Sequence, residues 1–317
     1  MTKRALVTGA DGFVGSVLCR HLSESGWEVR SAVLRDVLNP AGEFQCDITE
    51  AARVEALLAW AGPVDVVFHL AALTFVPDAI QHPHLAMRVN VDGTVNLLDA
   101  CRAQLPESRF LHVSTSEIYG PPVTLPVRED HPLNPQNPYA ISKTAADAFC
   151  AYFHRSTGYD LVRMRPFNHA GPGQSDQFVL SSFARQIARA EAGKTEPIVR
   201  VGNLDARRDF LHVEDVVRAY ERAALKSEAG EAYNIASGTA VAIRDALGML
   251  IEMARTEITV EPDPERLRPV EVAEVAGSSA KLEASTGWRP ERSLEHLLAD
   301  ILNYWRGREH AAPTESA

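Results

Sequence analysis

A tyrosine and a lysine stand one helical turn apart in NPQNPYAISK (134–143), where Tyr139 follows a proline and Lys143 comes four residues later. Residues four apart share one face of a helix. An ammonium beside a phenol favours the phenolate and so lowers a pKa that starts at about 10. Such a phenol can exchange a proton with a carbonyl or an alcohol at neutral pH. The spacing by itself also fits an exposed pair without chemistry.

Two further features favour the chemical interpretation. The stretch STSEIYG (114–120) follows a predicted strand and includes the hydroxyl of Thr115, which can polarise a substrate oxygen. A glycine-rich turn follows the first predicted strand, and α/β sheets bind ligands outside the carboxyl ends of their strands. We therefore expect Tyr139, Thr115 and the glycine turn to meet at one edge of a sheet.

The glycine turn is TGADGFVG (8–15), which places Gly9, Gly12 and Gly15 between a strand and a helix. Glycines in this context tighten the turn and let the backbone approach a pyrophosphate, which the N-terminus of the helix then faces. The spacing differs from GxGxxG, and a purely structural turn is the alternative. The strand–turn–helix context favours dinucleotide binding.

The end of the second predicted strand bears on the choice of dinucleotide. An acidic side chain there would bind the ribose of NAD, whereas an arginine accommodates the additional phosphate of NADP. The sequence offers Arg35, with Arg30 upstream, and this favours NADP. Asp36 keeps NAD open. Asp47, in the loop after the next strand, is a candidate for the adenine side, with a cap or turn residue as the alternative.

The arrangement of apolar segments predicts the fold class. Near-continuous apolar strands alternate with amphipathic helices as far as Pro166, which indicates an α/β fold of the Rossmann type, a doubly wound parallel sheet. After Pro166 the pattern loosens and predicts a smaller, discontinuous C-terminal substrate lobe. The predicted divisions are a dinucleotide-binding domain of 1–166 and 207–238, a lobe of 167–206 and 239–309, and a disordered tail of 310–317.

Composition excludes several classes of function. The chain has 317 residues and a formal charge of −10, so it lacks the basic field that nucleic acid requires. No stretch has the apolar length of a membrane span or a signal peptide. The four cysteines form no CxxC pair, and we expect small buried side chains rather than a metal site or disulfides. A cytoplasmic location fits these features.

At this point the sequence resembles the extended short-chain dehydrogenase/reductases that act on nucleotide sugars. The resemblance runs from Lys3 to about Arg306. The motifs that carry it are TGADGFVG (8–15), HLAA (69–72), NVDGTVNLL (90–98), STSEIYG (114–120), YAISK (139–143) and RPFNHAGPGQ (165–174). It implies that Tyr139 is the acid/base, that Lys143 holds the ribose and tunes Tyr139, and that Thr115 bonds the substrate oxygen.

The resemblance and the strand-end argument together give the expected contacts. The residues expected at the cofactor are Gly9, Gly12, Phe13, Val14, Gly15, Arg35, Asp47, Ile48, Leu70, Ala71, Ala72, Tyr139, Lys143 and Pro166. The residues expected at the substrate are Thr74, Ser116, Asn168, Arg200, Asn203, Arg208 and Arg268. Arginines in an acidic chain suit a diphosphate, because a guanidinium grips phosphate oxygens with two bonds.

Within the family, the later segments resemble the GDP-sugar branch, in particular enzymes that reduce the 4-keto group of a GDP-4-keto-6-deoxy-hexose. Glu117 departs from this pattern, because Thr115-Ser116-Glu117 resembles the triplet of the 4,6-dehydratases, in which the glutamate is a base. A 4,6-dehydratase, a 4-epimerase and a cofactor-sensing protein without activity are the alternatives. Family members often dimerise through helices that correspond to 86–104 and 139–156, so a homodimer is expected.

Overall fold

The apolar runs predicted as strands form a central parallel sheet in the computed structural model, which describes residues 2–266 and 272–311. The strands of the described chain are β1 (Arg4–Thr8), β2 (Glu28–Val33), β3 (Glu43–Gln45), β4 (Val66–His69), β5 (Arg109–Val113), β6 (Leu161–Pro166), β7 (Asn168–Ala170), β8 (Ile198–Val201), β9 (Arg207–His212), β10 (Ala232–Ile235), β11 (Ala240–Ala242), β12 (Thr259–Pro262) and β13 (Glu274–Val275). Seven of them form one sheet in the order β3-β2-β1-β4-β5-β6-β10. Every neighbouring pair in this sheet is parallel.

Helices cover both faces of this sheet. In chain order they are α1 (Phe13–Glu24), α2 (Ala51–Ala61), α3 (Val76–Gln81), α4 (Pro83–Met87), α5 (Gly93–Gln104), α6 (Pro138–Thr157), α7 (Val179–Glu191), α8 (Val213–Lys226), α9 (Ile243–Glu252), α10 (Ala280–Thr286) and α11 (Leu294–Ala311). One apolar core joins the sheet to α1 and α8, and a second joins its other face to α2, α5 and α6. The predicted doubly wound Rossmann-type fold is confirmed. The strand order reverses between β1 and β4, and such a reversal opens a ligand crevice at the carboxyl ends of the strands.

A separate core belongs to the later part of the chain. It packs α7, α9 and α11 around apolar residues that include Phe183, Leu250 and Trp305. β9 pairs with β7, β11 and β13 in a second sheet. β10, in contrast, is the edge strand of the main sheet, and α8 packs on a face of that sheet. The segment 207–238 therefore contributes to both sheets. The division into domains remains a prediction.

The structure bears on the predicted helix over 86–104, on the predicted tail and on the four cysteines. The helix expected over 86–104 is interrupted by a π-helical turn at Arg88–Asp92. α11 continues to Ala311, so it includes the first residues of the predicted tail; 312–317 and Arg268 lie outside the described residues. Cys46, Cys101 and Cys150 are buried and Cys19 is partly buried, all as free thiols. Within 2–266 and 272–311 no helix has the length and apolarity to span a membrane, and no cluster of ligating side chains could hold a metal.

A buried ion cluster fixes α6 to the sheet. Asp147, one turn after Lys143, accepts hydrogen bonds from Arg163 at 2.8 Å and from two nitrogens of Arg165 at 3.0 and 2.8 Å. Its side chain is 1% exposed. Burial alone raises the pKa of a carboxyl, but the hydrogen bonds and charges of Arg165 and Arg163 outweigh it and lower the pKa of Asp147. This cluster sets the position of the helix that contains Tyr139.

We predict that Asp147→Asn lowers the free energy of unfolding by about 3–5 kcal/mol, because it leaves buried guanidinium groups without their counter-charge. Urea unfolding at neutral pH measures this loss. Because the folded-state pKa of Asp147 is lowered, its contribution is present above the unfolded value of about 3.9 and is lost as the pH falls through the folded value. The gap between variant and wild type should therefore close in acid.

Asp160→Asn provides the matched control. Asp160 pairs with Arg109 at 3.0 Å, but its side chain is 41% exposed. Arg109 also donates to the carbonyls of Ala223, Ala224 and Ser227, so its guanidinium stays satisfied in the variant. We expect a loss of about 0–1 kcal/mol, as for exposed pairs. Equal losses in the two variants would contradict the role given to Asp147.

Candidate active site

The glycine turn forms a cradle that only glycines can line. Gly9 has a φ of +69°, and a Cβ added there would lie 2.8 Å from the backbone nitrogen of Ala71. A Cβ on Gly15 would collide with the carbonyl of Gly9. α1 begins directly behind the turn, with Gly12 at its N-cap and no side chain capping it. The first-turn amides, which include those of Phe13 and Val14, are therefore oriented toward this cradle, a geometry that suits a pyrophosphate.

The end of β4 provides the opposite side of the crevice. Leu70 and Ala71 follow β4 and approach the turn, with the amide of Ala71 3.3 Å from the hydroxyl of Thr8. Ala72 continues this loop, and Pro166 ends β6 on the same edge of the sheet. The cradle that these backbones leave fits a dinucleotide.

Ile48 and Asp47, both expected at the cofactor, make different contacts within the protein. The side chain of Ile48 packs against Gly93, and its carbonyl accepts from Asn96 at 3.0 Å. Asp47 accepts the backbone N–H of Thr49 at 2.9 Å just before α2. Asp47 thus forms the turn that was the alternative interpretation of this residue, and its contact with adenine remains a prediction.

Tyr139, Thr115 and Glu117 lie together at the carboxyl end of β5. Tyr139 is 8% exposed, and its phenol interacts with the hydroxyl of Thr115. Thr115 also caps the short 3-10 helix Ser116–Tyr119 by accepting the N–H of Glu117 at 3.2 Å. The carboxylate of Glu117 is close enough for its charge to act on Tyr139. The predicted grouping of phenol and hydroxyl is thus present in the structure.

The protonation of Tyr139 differs from the expectation. Burial raises its pKa, the charge of Glu117 raises it further, and the hydrogen bond from Thr115 lowers it. The net direction is upward, so the expected lowering by Lys143 was wrong. The reason is physical: burial disfavours the charged phenolate, and Lys143 donates a hydrogen bond to the carbonyl of Val113 at 2.5 Å. Tyr139 therefore carries its proton at neutral pH and is set to donate it.

Lys143 is a buried cation. Its side chain is 3% exposed, and burial lowers its pKa to about 8. It remains largely protonated at neutral pH and loses its charge as the pH rises through that value. A buried ammonium at the base of the crevice can donate hydrogen bonds to ribose hydroxyls, the task expected of it.

Two asparagines that the sequence did not single out organise this region. Asn90, in the π-helical turn, binds both the amide and the carbonyl of Leu73 at 2.8 and 3.0 Å and donates to Ser142 at 2.9 Å. Asn137 is the N-cap of α6 and donates to Glu117 at 3.0 Å. Asn before Pro and Tyr is a capping signal that could have identified Asn137; nothing local identifies the partners of Asn90.

The expected substrate residues do not all lie on one element. Ser116 is buried beside Thr115, whereas Thr74 and Asn168 are exposed. β7 pairs with β9 so that Asn168 lies opposite Phe210, two residues after Arg208. His169 stacks on Phe13 with ring centroids 6.4 Å apart, which joins this segment to the cofactor turn.

Arg200 and Asn203 lie further along the lobe. Arg200 is in β8, which pairs only with β12 among the described strands, and its guanidinium contacts Glu261 at 3.3 Å. Asn203 is exposed and accepts the N–H of Asp205 at 2.9 Å. Arg208 donates to the carbonyl of Arg207 at 2.9 Å. The contacts of these residues with a substrate remain predictions.

Comparison with known proteins agrees with this geometry. The family described as GDP-mannose 4,6 dehydratase matches residues 6–301. The chain is 39% identical to the GDP-6-deoxy-D-mannose reductase of Pseudomonas aeruginosa, over 97% of this chain and 99% of that protein. It is 28% identical to a GDP-mannose 4,6-dehydratase of Yersinia enterocolitica, over 98% and 96%. The structure of RMD from Pseudomonas aeruginosa complexed with NADPH matches with a TM-score of 0.86 and 38% identity, covering 97% and 100%.

A Rossmann-type sheet with a glycine cradle and a buried Tyr139–Lys143 pair at its carboxyl edge defines an NAD(P)-dependent enzyme. The chain belongs to the GDP-mannose 4,6-dehydratase family of extended short-chain dehydrogenase/reductases, which confirms the resemblance seen in the sequence.

We predict that Tyr139→Phe lowers kcat by about 10²–10⁴-fold while dinucleotide affinity changes little, because the ring remains and only the transferable proton is lost. Oxidation of the reduced dinucleotide by a 4-keto nucleotide sugar measures kcat, and a fluorescence titration measures binding. Tyr152→Phe is the control, since it removes the same hydroxyl from the same helix at a residue well beyond Tyr139. A Tyr139 variant within threefold of wild type would remove Tyr139 from the chemistry.

Proposed function

We propose that this enzyme uses NADP(H) to reduce the 4-keto group of a GDP-4-keto-6-deoxy-hexose. Its relative named GDP-6-deoxy-D-mannose reductase supports the proposal. That relative aligns over nearly the full length of both chains. The observation in the site that carries the proposal is the buried, protonated phenol of Tyr139 next to the hydroxyl of Thr115. Ketone reduction requires a proton donor at this place.

The roles of the residues follow from their positions. A bound nicotinamide supplies the hydride that goes to C4 of the sugar. Thr115 holds the carbonyl oxygen by a hydrogen bond, and Tyr139 donates the proton that converts the developing alkoxide into an alcohol. Lys143 is proposed to hold the ribose through hydrogen bonds from its buried ammonium group. The residues proposed to bind the GDP-sugar are Thr74, Ser116, Asn168, Arg200, Asn203, Arg208 and Arg268.

The preference for NADP(H) rests on Arg35. Arg35 lies just beyond β2, where its side chain is 38% exposed. Arg30 is occupied elsewhere, because it pairs with Glu28 at 3.0 Å and lies over the ring of Trp60 at 5.4 Å. The solved relative was complexed with NADPH. NAD(H), with Asp36 at the ribose, remains the second choice.

A 4,6-dehydratase is the second candidate function, since Glu117 could remove a sugar proton and the family and several relatives bear that name. The carboxylate of Glu117, however, accepts from the N-cap residue Asn137 at 3.0 Å. This hydrogen bond links Glu117 to the start of α6. Glu117 can thereby position the helix that contains Tyr139, a role compatible with reduction. In reduction no carbon–hydrogen bond of the sugar breaks, so Glu117 has no proton to move. A 4-epimerase is a further alternative, since a UDP-glucose 4-epimerase is among the relatives, at 29% identity.

The deciding experiment supplies GDP-4-keto-6-deoxy-mannose with NADPH or NADH and identifies the sugar product by mass spectrometry and NMR. We expect oxidation of NADPH and a 6-deoxy-hexose product. Glu117→Gln, which keeps size and hydrogen bonding but removes basicity, should retain this activity within about tenfold. If wild type converts GDP-mannose and NADP⁺ to the 4-keto-6-deoxy sugar and Glu117→Gln does not, the enzyme is a dehydratase.

We also propose a cytoplasmic homodimer that buries the outer surface of α4 and α6. Large apolar side chains lie exposed there, at 47% for Ile141, 56% for Tyr152 and 40% for Leu85. Light scattering after size exclusion should give twice the chain mass of 34.7 kDa. Ile141→Glu together with Tyr152→Glu should shift the protein toward the mass of one chain, because a charge in an apolar interface is costly. A wild-type protein with the mass of a single chain would contradict the dimer.

A further inference from the structure

The carboxylate of Glu43 organises the loop that joins β2 to β3. One of its oxygens accepts the backbone N–H groups of Leu38 at 2.8 Å and Asn39 at 3.0 Å, as well as Arg35 Nη1 at 3.1 Å. The other accepts Arg35 Nη2 at 2.7 Å. Donation from Arg35, followed by the two amides, lowers the pKa of Glu43 to about 2. Four donors from one short loop thus converge on a single carboxylate.

β3 presents a second side chain to the same loop. Glu43 and Gln45 are two residues apart and therefore project from one face of the strand, and Gln45 donates to the carbonyl of Leu34 at 3.1 Å. Phe44 projects to the other face and packs on Trp60, with ring centroids 5.5 Å apart. A partly buried aromatic contact thus fixes the strand from which both polar side chains reach the loop.

The glycine turn fixes the other end of the loop. Asp11, between Gly9 and Gly12, accepts the backbone N–H groups of Leu34 at 3.0 Å and Arg35 at 3.1 Å. The backbone of Arg35 is therefore held at a set distance from the turn that faces the pyrophosphate. In a dinucleotide the adenosine ribose joins directly to that pyrophosphate, so a fixed distance between these segments matters for recognition.

The contacts of Arg35 leave one edge of its guanidinium available. Nη1 donates to Glu43 and to the carbonyl of Asp36 at 2.7 Å, and Nη2 uses one N–H for Glu43. The edge formed by Nε and the second N–H of Nη2 has no acceptor among the residues that the structure describes. Such an edge can bind two oxygens of a phosphate side by side. The side chain is 38% exposed, so the edge is accessible.

We propose that Glu43 is a positioning residue for the phosphorylated adenosine of the cofactor: it holds the guanidinium of Arg35 in the orientation that receives the 2′-phosphate. This inference rests on the proposed NADP(H) dependence. Glu43 places a negative charge near the bound phosphate, which opposes binding. The charge is compensated by four donors, however, while an arginine released from it must be ordered anew each time a phosphate binds. Positioning therefore outweighs repulsion.

The test measures dissociation constants of NADPH and NADH by fluorescence for wild type, Glu43→Gln, Arg35→Ala and the double variant. Glu43→Gln should weaken NADPH binding about tenfold, the cost of ordering one long side chain, and change NADH binding less than twofold. Arg35→Ala should weaken NADPH more. The double variant should match Arg35→Ala, because Glu43 acts through Arg35.

Glu28→Gln is the matched control. Glu28 is another carboxylate paired with arginines, Arg4 at 2.9 Å and Arg30 at 3.0 Å, but it lies at the amino end of β2 and makes no contact with the loop. It should leave both dissociation constants unchanged. Equal loss of NADPH and NADH binding in Glu43→Gln would show a general structural role and overturn the inference.

Two further results separate this inference from the function on which it rests. If wild type prefers NADPH through Arg35 and Glu43→Gln binds it equally well or more tightly, the positioning role is wrong and the proposed cofactor stands. If wild type prefers NADH and Arg35→Ala changes nothing, the proposed cofactor is wrong, and the inference fails with it.

Discussion

The buried cluster of Asp147 with Arg163 and Arg165 is the constraint on which the site depends. It joins the middle of α6 to β6 at a largely buried position, where the side chain of Asp147 is 1% exposed. Since Lys143 precedes Asp147 by one turn and Tyr139 by two, their height above the sheet follows from this attachment. Arg165 also donates to the hydroxyl of Tyr119 at 2.9 Å, which extends the same network to the 3-10 helix behind Thr115. One cluster thus positions both the helix that contains Tyr139 and Lys143 and the 3-10 helix that Thr115 caps.

Burial shifts the pKa values of the titratable side chains in this region. Burial lowers the pKa of Lys143 and raises that of Tyr139, so proximity does not make the phenol more acidic in this protein. His69 is affected in the same way: burial, followed by the charge of Lys143, lowers its pKa to about 3. The ring of His69 lies between the hydroxyls of Thr8 and Thr94 at 2.8 and 2.9 Å. The neutral imidazole therefore connects Thr8 with Thr94 at the end of β4 and does not take up a proton at neutral pH.

The sequence predicted the sheet because periodic apolar runs and glycine spacing are local signals. The turn of Gly9, Gly12 and Gly15 could be placed from residue types alone, since its geometry follows from the missing Cβ atoms. The direction of the Tyr139 pKa could not, because it depends on burial, and burial is set by segments far away in the chain. The partners of Asn90 and Glu43 could not be predicted either. Both side chains bind backbone groups, and every residue has a backbone, so the sequence does not indicate which of them is the partner. The sequence of β9 is that of an ordinary strand, and only its pairing with β7, β11 and β13 in the folded protein places it in the second sheet.

The position of β10 has a consequence for how the chain folds. β10 pairs with β6, yet all of residues 167–231 lie between the two strands. Closing so long a connection costs chain entropy before any hydrogen bond between the strands can form, and such pairings form slowly. We therefore expect the edge of the main sheet to be completed late, after the intervening segment has folded. During synthesis the strands around the glycine cradle can pair early, whereas β10 can join β6 only after residues 167–231 have been made, so that completion of the main sheet is kinetically coupled to folding of the later part of the chain.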